Sequence, residues 1–330
     1  MKKFLLIGGL GFVGKNLGSM LCSQNHTVKI IDIKQPSKYE EDFLNKNNID
    51  YVQGNIMDES FTSREIINGD FDGVYHLASF VGIKNYISNP SEVILTTIQG
   101  TLNVARACTE ANSHMLFAST SEVLGKNPNT PWKEDADRVY GSTSVDRWSY
   151  GSSKGVAEQL IIGLSKSTNL SFTIIRFFNI YGSHQNPIFV VPKTIHNILN
   201  GKKPLVYDGG NQTRCFTFVE DAVTAVDQLM QKKASGIYHI GSNFEYTIAE
   251  AIDVISKVAK FEQKSKKINT DDLYGNTYED ILRRVPDVSK IEHEIGWVAR
   301  TYLDEGVAKT IEWVKKNDWW LELNSSVESS

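Results

Sequence analysis

The chain has 330 residues, of which 41% are hydrophobic and 22% charged, and its formal net charge is −4. That is the make-up of an ordinary globular protein. The 35 basic residues form no long run, which argues against a nucleic-acid partner, and three cysteines (Cys22, Cys108, Cys215) are too few and too widely spaced for a disulfide framework or a zinc cluster.

From the N-terminus, Lys3 to Ile7 reads as an apolar strand rather than a signal peptide, because the run is short and breaks at Gly8-Gly9. No stretch approaches the ~20 apolar residues of a membrane span, so the expectation is a cytoplasmic protein with no membrane partner. Gly8 to Gly14 is a glycine turn, and apolar positions three and four apart predict a helix from Val13 to Ser23. Val28 to Ile33 is a second strand carrying Asp32 at its end, followed by a polar connection rich in Lys, Glu and Asn. Tyr51 to Gln53, Gly73 to Ala78 and Met115 to Ser119 are further strands, separated by helical stretches near 59–68 and 91–111. This alternation predicts an α/β fold with a doubly wound parallel sheet covered by helices on both faces.

A helix over 149–167 and a strand from Ser171 to Phe178 continue the pattern. Residues 179–217, with Pro187, Pro192, Pro204 and the turn Asp208-Gly-Gly210, lose the alternation and read as a ligand-facing lobe. Val219 to Gln231 and Ile248 to Lys260 read as helices and Gly236 to Ile240 as a strand. The expected division is a dinucleotide-binding domain over 1–178, to which 218–243 return, and a smaller C-terminal substrate-binding lobe made of 179–217 and 244–330. The polar tail from Asn324 to Ser330 is expected to fray.

Four motifs carry chemistry. Gly8-Gly-Leu-Gly11-Phe-Val-Gly14 follows a strand and opens a helix: Gly8 permits the tight turn, Gly11 the approach of backbone N–H groups to phosphate, and Gly14 close helix–strand packing. Asp32 is placed to accept hydrogen bonds from the adenosine ribose, which favours NAD because a 2′-phosphate would be repelled. Asp58 serves either the adenine edge or a helix N-cap.

Thr120, Ser121 and Glu122 emerge at the carboxyl end of a strand, where open parallel sheets hold ligands. The hydroxyls suit a substrate hydroxyl and Glu122 suits general acid or base work, unless the group only caps the strand. Tyr150 and Lys154 lie four residues apart on one helix face, so the Lys154 ammonium is expected to lower the pKa of the Tyr150 phenol and give a base near neutral pH. Arg147, one turn earlier, either faces solvent or meets a bound anion.

In order and spacing these motifs resemble the extended branch of the short-chain dehydrogenase/reductase superfamily, with its Rossmann sheet. Phe117-Ala-Ser-Thr-Ser-Glu-Val, Arg147-Trp-Ser-Tyr-Gly-Ser-Ser-Lys154, Arg176-Phe-Phe-Asn179-Ile-Tyr-Gly182, Asp208-Gly-Gly-Asn-Gln-Thr-Arg214 and Tyr278-Glu-Asp-Ile-Leu-Arg-Arg284 look like the NAD-dependent nucleotide-sugar epimerases, dehydratases and decarboxylases. Among these they are most similar to the UDP-glucuronate decarboxylases.

The resemblance implies that Phe12, Val13, Ile56, Leu77 and Ala78 join Gly8, Gly11, Gly14, Asp32, Asp58, Tyr150 and Lys154 around NAD. It also implies that Asn179 and Arg214 hold the diphosphate of a UDP-sugar, that Lys193 approaches the nucleotide, that Arg147 contacts substrate, and that Tyr278 and Arg284 close over the sugar. A homodimer through the helices at 91–111 and 149–167 is implied as well. Two departures stand out: Val123-Leu-Gly125 replaces the usual Val-Tyr-Gly, and Gly182-Ser-His184 replaces the frequent Gly-Pro-Arg.

The expected chemistry is transient oxidation at sugar C4 to a ketone. Because Glu122 weighs against plain epimerisation, loss of carbon dioxide is favoured, with 4,6-dehydration next and 4-epimerisation after it. A non-catalytic dinucleotide sensor is the alternative from another class, and the intact Tyr150 and Lys154 argue against it.

Overall fold

A computed structural model describes residues 1–80, 82, 86, 88–269 and 280–323. Its centre is built from β1 (Lys3–Ile7), β2 (Thr27–Asp32), β3 (Asp50–Gln53), β4 (Gly73–His76), β5 (His114–Thr120) and β6 (Phe172–Phe177). The short strands β7 (Ile180–Tyr181), β8 (Leu205–Tyr207), β9 (Thr213–Cys215) and β10 (Thr217–Phe218) follow, before β11 (Gly236–Ile240). Last come β12 (Glu245–Thr247), β13 (Lys266–Ile268) and β14 (Arg283–Arg284). The main sheet has seven parallel strands in the order β11-β6-β5-β4-β1-β2-β3.

The chain winds outward from β1 through β2 to β3, then returns to β4 and winds the other way. This reversal leaves a crevice at the carboxyl ends of β1 and β4, where such sheets bind ligands. Register aligns Ile7 with Ile31 on one side and with His76 on the other, so the glycine turn after β1 and the segment after β4 emerge side by side.

Both sheet faces are covered, which is why the strands are apolar throughout rather than alternating. Phe4, Leu6, Ile30, Tyr75 and Leu116 join one core with the helices Phe12–Ser23 and Val219–Lys232. Leu5, Ile7, Ile31, Val74, Met115 and Phe117 face the other way, against Val104, Ala107 and Ile161 of the helices Pro90–Glu110 and Trp148–Ser167. No described helix is long and apolar enough to cross a membrane.

A buried ion pair anchors the helix Trp148–Ser167 to the sheet. Arg176 on β6 donates two hydrogen bonds to Glu158, at 2.9 and 2.6 Å, and Ser119 on β5 donates to the same carboxylate at 2.5 Å. Breaking one partner of such a pair costs about 3–5 kcal/mol, because the other charge is left buried.

The strands and helices expected in the first 178 residues occur within two residues of their expected ends, with two additions among the described residues, the shorter being the 3-10 turn Ser121–Leu124 after β5. The polar connection after Asp32 contains a helix, Lys38–Asn47, opened by a capping box in which Ser37 and Glu40 satisfy each other's backbone N–H groups. It buries only Glu40, Phe43 and Leu44, too narrow a stripe to give an apolar period. The region 179–217 likewise holds a helix, Val190–Leu199. Pro192 falls in its first turn, where a missing N–H breaks no intrahelical bond, so the proline does not mark irregular chain.

Two glycines give opposite expectations. A Cβ on Gly14 would sit 2.5 Å from the Gly9 carbonyl oxygen, whereas one on Gly163, in the helix Trp148–Ser167, would meet nothing within 4 Å. Gly163→Ala is expected to stabilise the protein by about 0.5–1 kcal/mol through the unfolded chain, and Gly14→Ala to destabilise it by about 1–3 kcal/mol through overpacking. Denaturant unfolding of the two variants checks both signs.

Candidate active site

A cavity of about 960 Å³ opens at the crevice. It runs from Asp32, Lys34 and Tyr39, past the glycine turn, to Ala118, Ser119, Tyr150 and Lys154. Gly8 has φ +78°, and a Cβ there would lie 2.6 Å from the backbone of Ala78. Only glycine lets the turn lie against the segment after β4 in that way. Gly11 is the N-cap of the helix Phe12–Ser23 and offers no side chain to the first N–H groups, which leaves them for an anion. Asp32 is buried, its carboxylate accepting from the backbone of Leu10 at 3.1 Å and of Lys34 at 3.2 Å. Phe12, Val13, Ile56, Leu77 and Ala78 also line the cavity.

This lining fits a dinucleotide. A narrow glycine cradle sits beside a helix N-terminus, and a carboxylate held by its own backbone stands at the second strand end. Asp58 caps the helix Glu59–Ile67 through Phe61 N at 2.9 Å and does not line the cavity.

Lys154 is buried, and its ammonium donates to the Ala118 carbonyl oxygen at 2.7 Å. Burial brings its pKa down to about 7, with Glu158 opposing the fall. The expected effect on Tyr150 is not what this arrangement produces. Burial, then the charge of Glu122, pushes the Tyr150 phenol above its ordinary value, although hydrogen bonds from Ser79 and Thr120 and the charge of Arg147 act the other way. The Lys154 ammonium is 6.0 Å from the Tyr150 ring centroid and aimed at Ala118, so it does not outweigh that burial. The phenol therefore keeps its proton at neutral pH in this state.

Glu122 lies among arginines. Arg147 donates to one carboxylate oxygen and Arg284 approaches the other at 3.5 Å. Burial alone would raise the Glu122 pKa, but Arg147 and Arg284, with a smaller contribution from Arg214, hold it below the usual carboxylate value. β14 pairs with β9 so that Arg284 faces Arg214, whose guanidinium also bonds Asp280 at 3.0 Å. Arg147 is thus buried against a carboxylate rather than facing solvent.

The Oγ of Ser121 is buried with no hydrogen-bond partner among the described residues. Thr120 accepts from Glu122 N at 3.2 Å. Asn179, at φ +43°, donates to the Cys215 carbonyl at 3.1 Å, and Lys193 reaches the Tyr207 hydroxyl at 3.0 Å. Neither Asn179 nor Lys193 lines the cavity, and Tyr278 lies outside the described residues.

Sequence reasoning missed several wall residues, among them Ser79, Tyr39, His184, Gln185 and Trp319. His184 had been singled out only as a departure from a family pattern. Nothing local marks Tyr39 or Trp319, which reach the wall through tertiary packing.

A parallel sheet with this switch point, a glycine cradle and a Tyr-Lys pair on one helix face define a class: an extended short-chain dehydrogenase/reductase on a Rossmann sheet. Within it, the chain belongs to the GDP-mannose 4,6 dehydratase family, whose model matches residues 5–310. It is 37% identical over 321 residues to the UDP-N-acetyl-alpha-D-glucosaminuronate decarboxylase of Bacillus cytotoxicus, covering 96% of this chain and 98% of that one. It is 29% identical to the UDP-glucuronic acid decarboxylase 1 of Danio rerio, over 96% of this chain and 73% of that one.

Among solved structures, the UDP-N-acetylglucosamine 4-epimerase of Methanobrevibacter ruminantium M1, in complex with UDP-N-acetylmuramic acid, superposes with a TM-score of 0.85 at 26% identity. That match covers 96% of this chain and 99% of that one. These relatives are nucleotide-sugar-modifying enzymes, and this chain is an enzyme of the same family.

The buried cation gives a prediction with a definite sign. A lysine whose pKa is about 7 folded and 10.5 unfolded binds fewer protons in the native state between those values, so its cost to stability grows as pH falls from 10.5 to 7 and is constant below. Lys154→Met is therefore expected to raise the Tm of the cofactor-free protein by roughly 2 °C at pH 6.5, with the gain shrinking as pH rises toward 10. Differential scanning calorimetry across that range is the check. A gain that does not change with pH would contradict the assignment.

Proposed function

We propose that the chain is an NAD-dependent decarboxylase of a UDP-linked hexuronic acid, acting through transient oxidation at sugar C4. The observation that carries this reading is the Glu122 carboxylate clamped by Arg147 and Arg284, near enough for its charge to act on the Tyr150 phenol. Dehydration across C5 and C6 needs an acid that gives a proton to the departing C6 hydroxyl, and a carboxyl held below its usual pKa suits that poorly. Loss of carbon dioxide from a β-keto acid needs no such acid. It needs cationic groups for the substrate carboxylate and the developing enolate, which two guanidiniums provide. The identity of 37% to a decarboxylase of an N-acetylated UDP-uronate, against 29% to one acting on UDP-glucuronate, favours the N-acetylated sugar.

In this reading the sheet lobe, 1–178 with 218–243, holds the cofactor, and 179–217 with 244–330 holds the nucleotide sugar. NAD, when bound, supplies a hydride acceptor for C4 that later returns the hydride, and a positive charge beside the phenol. Beside that positive charge Tyr150 would give up its own proton to water by way of the Ser79 and Thr120 hydroxyls that already bond it, and as phenolate takes the proton of the C4 hydroxyl, returning it to the C4 oxygen when the hydride returns. Lys154 orients the nicotinamide ribose from its seat on Ala118.

Ser121, with its unpartnered buried hydroxyl, and Thr120 bind the sugar hydroxyls. The C5–C6 bond breaks, C6 leaves as carbon dioxide and the bonding electrons pass to C5 and the C4 oxygen as an enolate, which takes a proton from water at C5. Asn179 and Arg214 hold the diphosphate, with Lys193 beside the nucleotide. Exposed Ile94, Leu95 and Val156 on the helices Pro90–Glu110 and Trp148–Ser167 support a homodimer through those helices.

Incubation with NAD and UDP-N-acetylglucosaminuronate, UDP-glucuronate or UDP-glucose, followed by product mass, tests the reading. A loss of about 44 mass units from a uronate is expected, and Tyr150→Phe is expected to slow it by about 10²–10⁴. A loss of about 18 from UDP-glucose would instead mean dehydration, and an isomer of unchanged mass would mean epimerisation.

A further inference from the structure

The adenosine end of the cavity is walled by aromatic side chains that the reaction does not use. Tyr39, on the helix that follows the Asp32 strand, packs its ring on Trp319 with centroids 3.9 Å apart and an angle of 36° between planes. Its hydroxyl bonds Nδ1 of His184. Tyr39, His184 and Trp319 all line the cavity, together with Lys34 and Ser37 beside Asp32. Three distant stretches of chain therefore meet at one place: the sheet lobe, the loop after β7 and the C-terminal segment.

The meeting is anchored from behind. Trp320 is buried, its Nε1 donates to the Gln185 carbonyl oxygen at 2.7 Å, and its ring lies edge-on to His196 at 5.2 Å. His196 in turn donates through Nε2 to the Leu321 carbonyl at 3.0 Å. Trp313 also packs on His184, with ring centroids 4.8 Å apart. On the sheet side, Lys15 lies 5.4 Å from the Tyr39 ring centroid and pairs with Glu40 at 3.5 Å. Trp319 is thus presented to the cavity by neighbours fixed in the core, and is itself only half-buried.

We propose that Trp319, Tyr39 and His184 form an aromatic clasp over the adenosine half of the dinucleotide, and that the clasp retains the cofactor between turnovers. The inference rests on the dinucleotide reading of the cavity given above. A reaction that removes hydride from C4 and returns it within one turnover regenerates its cofactor, so nothing requires exchange, and a wall that slows release prevents loss of the loaded state. The wall joins the helix Lys38–Asn47 to the C-terminal segment by ring packing and to the loop after β7 by a hydrogen bond, so these contacts lie across the way out of the adenosine end.

The test uses the full chain loaded with NAD, freed of unbound NAD by desalting, and chased with an excess of a fluorescent adenine-modified NAD. Trp319→Ala is expected to release NAD about tenfold faster than the natural protein, since the lost ring contacts act on the off-rate, and Trp319→Phe to release it at nearly the natural rate. Should Trp319→Ala not fold, His184→Ala is expected to show the same acceleration. Release within twofold of the natural rate, alongside a lowered Tm, would show that the aromatics only fasten the C-terminal segment and would overturn the clasp while leaving the dinucleotide reading intact. A natural protein that holds no NAD at all would overturn that reading, and the clasp with it.

Discussion

One buried cation sets the terms for the site. The Lys154 ammonium is held at the carboxyl end of β5 by a carbonyl oxygen and has no carboxylate in direct contact among the described residues, so it carries the cost of desolvation and its pKa falls to about 7. A group that costs stability persists only if the surrounding structure over-determines its position. Here that surrounding is the helix Trp148–Ser167, tied to the sheet one turn further on by the Arg176–Glu158–Ser119 network. The same helix turn places Tyr150 against Thr120 and Ser79. The charge is therefore positioned for whatever occupies the cavity rather than for the resting protein.

The resting state of Tyr150 follows from the same balance. Lysine four residues along a helix is near enough to favour a phenolate in principle, but a phenol removed from water resists ionisation, and a carboxylate among its neighbours adds to that resistance. An oxidised nicotinamide would bring a positive charge to the phenol's side of the cavity. Proton removal and cofactor binding are then coupled by electrostatics alone, which makes idle ionisation of the empty site unfavourable.

Glu122 and its arginines join elements far apart in the chain. Arg147 caps the helix Trp148–Ser167, which packs on the main sheet, and Arg284 comes from β14, which is paired to β9 outside that sheet. A carboxylate that receives cations from two separate elements fixes how those elements meet and holds the two guanidiniums close together. The cost of burying these charges is offset only while all partners are present, so the cluster is sensitive to any single loss.

Much of this was readable in the chain. The glycine turn, the strand-end Asp32 and the Tyr150–Lys154 spacing are local patterns whose geometry follows from helix and strand periods, and they located the crevice. Apolar runs located the sheet strands for the same reason. The helix Lys38–Asn47 escaped because its buried stripe is narrow, and Val190–Leu199 because a first-turn proline resembles a break. Tyr39, His184 and Trp319 could not be foreseen, since residues so far apart in sequence share no local period. The protonation of Tyr150 and of Glu122 was equally out of reach: pKa depends on burial and on which charges fold brings near. Sequence by itself determined which groups could do chemistry and on which element each sits. Tertiary structure decided which of them are charged and what closes over them, because desolvation and long-range contact exist only once the chain has folded.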